Sequence, residues 1–152
     1  MQDATIYAGL PDPDREEEFY ADVPTKRLVA WIVDSIVIAL LTAILIPFTA
    51  FTAFFFLPVF WLAIGLAYRI VTITLNSATP GMQLMSLELR RGNGQRFDFT
   101  LAVAHTIIYS FCMAFTLLQI VSIVLMLTGA RRQGVPDLVL ATAAVNKGAA
   151  RY

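Results

Sequence analysis

Charge is what this chain is short of. Asp, Glu, Lys and Arg together make up 14% of its 152 residues, where soluble domains carry about 25%. The shortage is concentrated in two blocks. Between Leu28 and Leu75 the charged side chains are Asp34 and Arg69 alone, and from Thr100 to Gly129 only His105 can carry charge. A lipid-spanning helix takes about 20 apolar residues, so the first block holds two spans and the second at least one. That distribution excludes a soluble domain and points to one small integral membrane unit in the cell membrane, crossing it more than once.

Other absences narrow the function. The single Cys112 lies inside an apolar run, which leaves neither a disulfide framework nor a cysteine metal site. A formal net charge of zero argues against a nucleic-acid partner. There is no Walker loop, no HExxH and no nucleophile with a recognisable base. No enzyme is therefore expected, and neither a cofactor nor a metal is called for. The first 27 residues are polar and acidic (DPDREEE) rather than a basic stub before an apolar core. This does not read as a cleavable signal peptide, and the first span is expected to serve as the insertion signal.

Residues 1–24, with Pro11, Pro13 and Pro24, read as a polar, disordered or surface-lying tail. A membrane domain is expected over 25–146, with a short basic tail at 147–152. The first span is expected from about Leu28 to Ile46, with Thr25 as N-cap and Lys26 and Arg27 at the membrane boundary. Pro47 ends it. The second is expected from about Thr52 to Leu75, with Pro58 marking a kink or a late start. NSATPGM then reads as a turn. Alternation over Leu84–Arg90, a Gly-Asn-Gly turn and Arg96–Phe99 predict a short β-hairpin. The expected fold is an all-α membrane protein with three or four membrane segments and a small cytoplasmic β-hairpin.

The run Leu101–Thr128 would measure about 42 Å as one helix at about 1.5 Å per residue, against a hydrocarbon core of about 30 Å. The loop between the first two spans has no Lys or Arg, so the positive-inside rule puts the N-terminus and the hairpin in the cytoplasm. A single third crossing would carry Arg131, Arg132, Lys147 and Arg151 to the other side, against that rule. A run doubling back near Thr116–Gln119 resolves the conflict, although it contains no Gly or Pro to make a turn. The balance favours a cytoplasmic C-terminus. The following LVLATAAVN is too short to span and suits an interfacial helix or a strand beside the hairpin.

Arg27 opening the first span, Asp34 inside it and Asp137 after the last apolar run together resemble the RDD family of small integral membrane proteins. Three stretches match in order over roughly residues 25–146: KRLVAWIVDSIVI, then ATPGMQLMSLEL with RGNGQRF, then RRQGVPDLVLATAAV. The chain departs from the family where Met82 replaces a frequent Lys and Pro136 a frequent His. The resemblance implies a membrane protein; transport of unidentified ligands and sodium–proton exchange have both been suggested for members.

Depth arithmetic adds a polar constellation. Asp34, Arg69 and His105 each fall about 7–11 Å from the cytoplasmic boundary at about 1.5 Å per residue, so the three can meet between helices. They form either a structural clamp, Asp34 on Arg69, or a site for a cation, a proton or a small ligand. Arg69 can also snorkel to lipid phosphate, and His105 can serve as a helix–helix hydrogen bond or a proton relay. Arg27 is a boundary anchor or the partner of Asp137, which also suits an N-cap. Arg131 and Arg132 suit anionic headgroups. Two functions stay open: a transport-type protein, which in so thin a bundle requires a homo-oligomer, and a non-transporting scaffold in the lipid bilayer.

Overall fold

A computed structural model describes residues 5–147. Helix α1 (Val23–Leu45) starts earlier than expected, because Pro24 sits in its first turn, where the missing N–H costs nothing. Thr25 is therefore helical and not the N-cap. Pro47 closes α1, and a tight 3-10 stretch with left-handed Ala50 and Phe51 leads to α2 (Leu57–Asn76). Pro58 is the late start and not a kink. With 23 and 20 residues, α1 and α2 are long and apolar enough to cross a membrane. Their outer faces are bare of protein contact: Leu40, Ile44, Leu62 and Leu75 are all more than half exposed. Such faces suit lipid and not water.

Past α2, Ser77 turns the chain through a left-handed residue into the short helix α3 (Pro80–Leu84) and strand β1 (Leu87–Arg91). Helix α4 (Phe99–Ala114) follows, then α5 (Thr116–Thr128), α6 (Val135–Val139) and strand β2 (Thr142–Asn146). The predicted hairpin is replaced by a pairing distant in sequence. β1 runs antiparallel to β2, with Leu87 opposite Asn146 and Leu89 opposite Ala144. The predicted turn does form, closed by Gly94 N–H on the Arg91 carbonyl at 2.8 Å and by Gly94 at φ +81°. Its return arm pairs with β1 only through an isolated bridge at Arg90–Arg96. The reason is competition for that arm: the Phe97 N–H donates to Ser77 Oγ at 2.8 Å, and Asp98 caps α4 through the Leu101 N–H at 2.9 Å.

The long apolar run breaks at Phe115, where α4 and α5 meet at 115°. Because β1 precedes α4 and β2 follows α5, the paired strands hold both ends of this bent unit at one end of the α1–α2 hairpin. The run therefore bends sharply and does not continue as one straight helix. Strand alternation sorts the sheet's two faces. Leu87, Leu89 and Ala144 pack with Val23, Ile73, Phe97 and Ala102 beneath the helices. Ala143 and Val145 face the other way, onto Leu10 and Tyr20.

Of the N-terminal segment expected as a disordered or surface-lying tail, residues 1–4 lie outside the described residues and the rest, up to α1, is laid across the sheet. Gly9 N–H donates to the Gly92 carbonyl at 2.8 Å, and the Arg131 guanidinium lies 4.7 Å from the Tyr7 ring centre. Asn146 is the anchor: its amide donates to the carbonyls of Glu18 at 2.8 Å and Ala21 at 2.9 Å, while its oxygen accepts from Lys26 Nζ at 2.7 Å. Of the expected basic tail, Lys147 N–H extends the pairing to the Ser86 carbonyl at 2.7 Å, and 148–152 lie outside the described residues. Asn146→Ala is expected to cost about 1–3 kcal/mol, the net worth of a few hydrogen bonds. Faster amide exchange across residues 17–23, read by hydrogen-exchange mass spectrometry, is the local sign. Unchanged exchange there would show that the segment is held by something else.

Candidate functional site

The first half of the site grows from α1. Asp34 is 3% exposed, two turns beyond Val23–Arg27, and its carboxylate is met by neutral donors from two other elements. Tyr68 Oη on α2 donates to Oδ1 at 2.7 Å, the Gly81 N–H to Oδ1 at 2.9 Å, and Thr79 Oγ1 to Oδ2 at 2.5 Å. Thr79 also accepts from the Met82 N–H at 3.2 Å, capping α3 while it holds Asp34. Gly81 is obligatory at this crossing: a Cβ there would stand 2.2 Å from the Ala30 carbonyl oxygen and 2.9 Å from the Asp34 carboxylate.

The second half is built on α6. Asp137 is fully buried, its Oδ2 engaged by Arg27 Nη1 and by the Gly134 N–H at 3.0 Å, its Oδ1 by His105 Nε2 at 3.0 Å. The contact with a carboxylate oxygen places a proton on Nε2. Burial on its own would raise the pKa of Asp137. The Arg27 charge, then the hydrogen bond and charge of His105, outweigh it and hold the carboxyl well below the usual carboxylate range. Asp137 is thus not itself an N-cap; it reaches back to the N-cap Gly134 from the third helical position. Arg27 takes the second of its two expected roles.

Asp34, Arg69 and His105 do not form a contact cluster. Asp34 is tied to Tyr68, Thr79 and Gly81, and His105 to Asp137. Arg69 reaches Tyr109, with Nη2 3.4 Å from the hydroxyl and the guanidinium 4.8 Å from the ring centre. What unites them is a shared cavity of about 540 Å³ between α1, α2, α4 and α5, lined by Arg27, Asp34, Arg69, His105, Tyr109 and Gln119 among others. Arg131 and Arg132, expected at headgroups, make internal contacts: Arg131 with Tyr7, and Arg132 Nη1 with the Leu127 carbonyl at 2.5 Å, near the end of α5. Among the described residues no group of His, Cys, Asp and Glu has the arrangement of a metal site.

Sequence reasoning missed Tyr68, Thr79, Gly81 and Tyr109. The Thr-Pro-Gly turn was a readable signal, since it offers a hydroxyl cap and a bare backbone N–H together. The tyrosines carried none. In comparison with known proteins, the model of the RDD family matches residues 22–141, most of the chain. No curated protein matches it, and no solved structure does.

Two outcomes follow. Gly81→Ala is expected to destabilise by about 1–3 kcal/mol or more, as overpacking against rigid backbone does, read as a lower melting temperature in detergent. For Asp137 the folded-state value lies below the unfolded one, so its contribution is complete above the unfolded value of about 3.9 and is lost as pH falls through the folded one. The melting temperature of the wild type should therefore fall steeply once pH drops below about 4. Asp137→Asn should start lower, by about 3–5 kcal/mol for a broken buried pair, and show a flatter acid limb. An unaltered acid limb would count against a buried, ionised Asp137.

Proposed function

The chain belongs to the RDD family, and on that premise we propose that it is a small multi-pass membrane protein whose helices hold a pocket for a small ligand, as the binding unit of a transport-type protein. The observation that carries the reading is the cavity of about 540 Å³, within the range of ligand pockets, with charged side chains in an otherwise largely apolar lining. In this reading Asp34 and Asp137 are the frame. Each is surrounded by donors fixed by the fold, which suits a carboxylate held in place as part of the structure. The ligand occupies the space between them.

The sheet end faces the cytoplasm in this proposal. Lys26, Arg27, Arg90, Arg91, Arg96, Arg131 and Arg132 gather there, while the turn between α1 and α2 has no basic residue. The bend at Phe115 supports this orientation, because it returns Arg131 and Arg132 to the basic side. Several copies associate in the membrane through the exposed apolar faces of α1 and α2, since one copy is too thin to enclose a path across the bilayer. The saturated hydrogen bonding of both aspartates also favours a second reading, a scaffold that moves nothing.

Native mass spectrometry of the detergent-released protein separates the two. The wild type is expected to retain a non-covalently bound small molecule. Gln119→Trp, which places an indole in the cavity lining, is expected to lose it at unchanged folded yield. A bare wild-type spectrum, or equal occupancy in both proteins, sinks the pocket and leaves the scaffold.

A further inference from the structure

Arg69 is a charge in a spanning helix for which the fold supplies no counter-ion. Among the described residues the ion pairs are Arg27–Asp137, Arg90–Glu88, Arg91–Asp98 and His105–Asp137, and Arg69 is in none of them. Asp34 shares its cavity, but the Asp34 oxygens are occupied by Tyr68, Thr79 and Gly81.

Snorkelling does not account for the side chain. A helical side chain leans toward the helix N-terminus, and Arg69 does so. Its Nη1 lies 3.5 Å from where a Cβ on Gly65 would stand, one turn back along α2. Arg69 is seven residues and Gly65 eleven from the α2 end at Asn76, or about 10 and 16 Å along a helix about 30 Å long. The guanidinium thus points away from the nearer end, toward the middle of the span, where an unpaired charge is most costly.

A second group in the cavity wall lacks a partner. Thr106 is fully buried on α4, and its hydroxyl makes no hydrogen bond. This is unusual here: the hydroxyls of Thr42, Thr72, Thr74 and Thr128 all bond the carbonyl one turn back. Tyr109 accepts from Arg69, which leaves its own hydroxyl hydrogen free to donate. Around these polar groups the cavity wall is apolar, with Leu28, Trp31, Met113, Ile123 and Met126 in the lining.

We propose that Arg69 is the anchor for an anionic head group, phosphate or carboxylate, of a ligand whose apolar portion lies along this wall. The proposal rests on the pocket reading above and names the chemistry of its occupant. The planar guanidinium offers a two-pronged donor to such a group, with the Tyr109 hydroxyl beside it. Of the two guanidiniums in the lining, Arg27 is neutralised by Asp137, and Arg69 is the one without an ion-pair partner among the described residues.

Trp31 in the lining supplies the readout. The chain has two tryptophans, so Trp61→Phe leaves Trp31 as the sole emitter. The protein is placed in phosphatidylcholine nanodiscs containing either brominated phosphatidic acid or brominated phosphatidylcholine, and in a separate arm inorganic phosphate is titrated in. Brominated phosphatidic acid is expected to quench Trp31 at lower mole fraction than brominated phosphatidylcholine. Arg69→Gln is expected to weaken this apparent affinity about tenfold, as loss of a charge-assisted hydrogen bond does. Arg69→Lys, which keeps the charge and loses the fork, should fall between and decides the matter if Arg69→Gln does not fold. An Arg69-dependent lipid preference assigns the head group to membrane lipid, and an Arg69-dependent response to phosphate alone assigns it to a soluble anion. Indifference of both arms to Arg69 overturns the proposal. If Gln119→Trp still empties the protein in that event, the pocket survives without this occupant.

Discussion

The turn into the sheet end of the molecule is positioned by the need to keep one carboxylate satisfied out of water. Asp34 lies two turns inside α1 at 3% exposure, in a stretch where an unsatisfied charge costs about 2.5–3.5 kcal/mol on insertion scales. The fold meets that cost with donors from α2 and from the turn into α3, and each donor fixes an element. Tyr68 sets the rotation of α2 against α1. Thr79 and Gly81 pull the following turn onto α1, so closely that no side chain fits at position 81. Once that turn is fixed, Ser77 is placed to take the Phe97 N–H, and β1 to present Leu87 and Leu89 to the core.

The second carboxylate closes the other side of the same end. Asp137 joins α1 through Arg27, α4 through His105 and its own helix through Gly134. Buried ion pairs contribute little net stability against a well-packed apolar alternative, yet removing one partner is costly. In the observed docking of α4 and α6 on α1, the Asp137 carboxylate receives all of these donors. That docking brings β2 back to β1, because α6 leads into β2 within three residues. The cavity is what remains between two such clamps joined by a bent helix pair.

Much of this was legible in the residues, but unevenly. Both long helices followed from the distribution of charge alone, and their ends from Pro47, Pro58 and the Thr-Pro-Gly turn. Pro24 misled, since a proline that breaks a helix interior is welcome in a first turn. The hairpin failed as a pairing while its turn held, because alternation names a strand but not its partner. The partner here, Thr142–Asn146, lies more than fifty residues away and is brought in by the bend at Phe115. Equal depth predicted that Asp34, Arg69 and His105 meet; they line one cavity without touching. It could not assign contacts, which depend on helix rotation, and rotation is set by uncharged donors such as Tyr68 that look like any other aromatic in an apolar run.

The two departures from the RDD pattern make physical sense once contacts replace positions. At residue 136 the chain has proline, which serves as the second residue of α6. The imidazole that Asp137 accepts comes from His105 on α4. What the buried carboxylate requires is a donor at Oδ1, and an adjacent residue or a facing helix can supply it. Met82, where a lysine is frequent, packs against the core of Val23, Ile73 and Leu87, so the sheet end stays apolar beneath its charged rim. The remaining cationic side chain among the spanning helices, Arg69, has no such internal answer among the described residues. A fold that supplies donors to both buried acids, and yet turns a guanidinium back along α2 over a bare glycine, is asymmetric in the way expected of a frame built around a space.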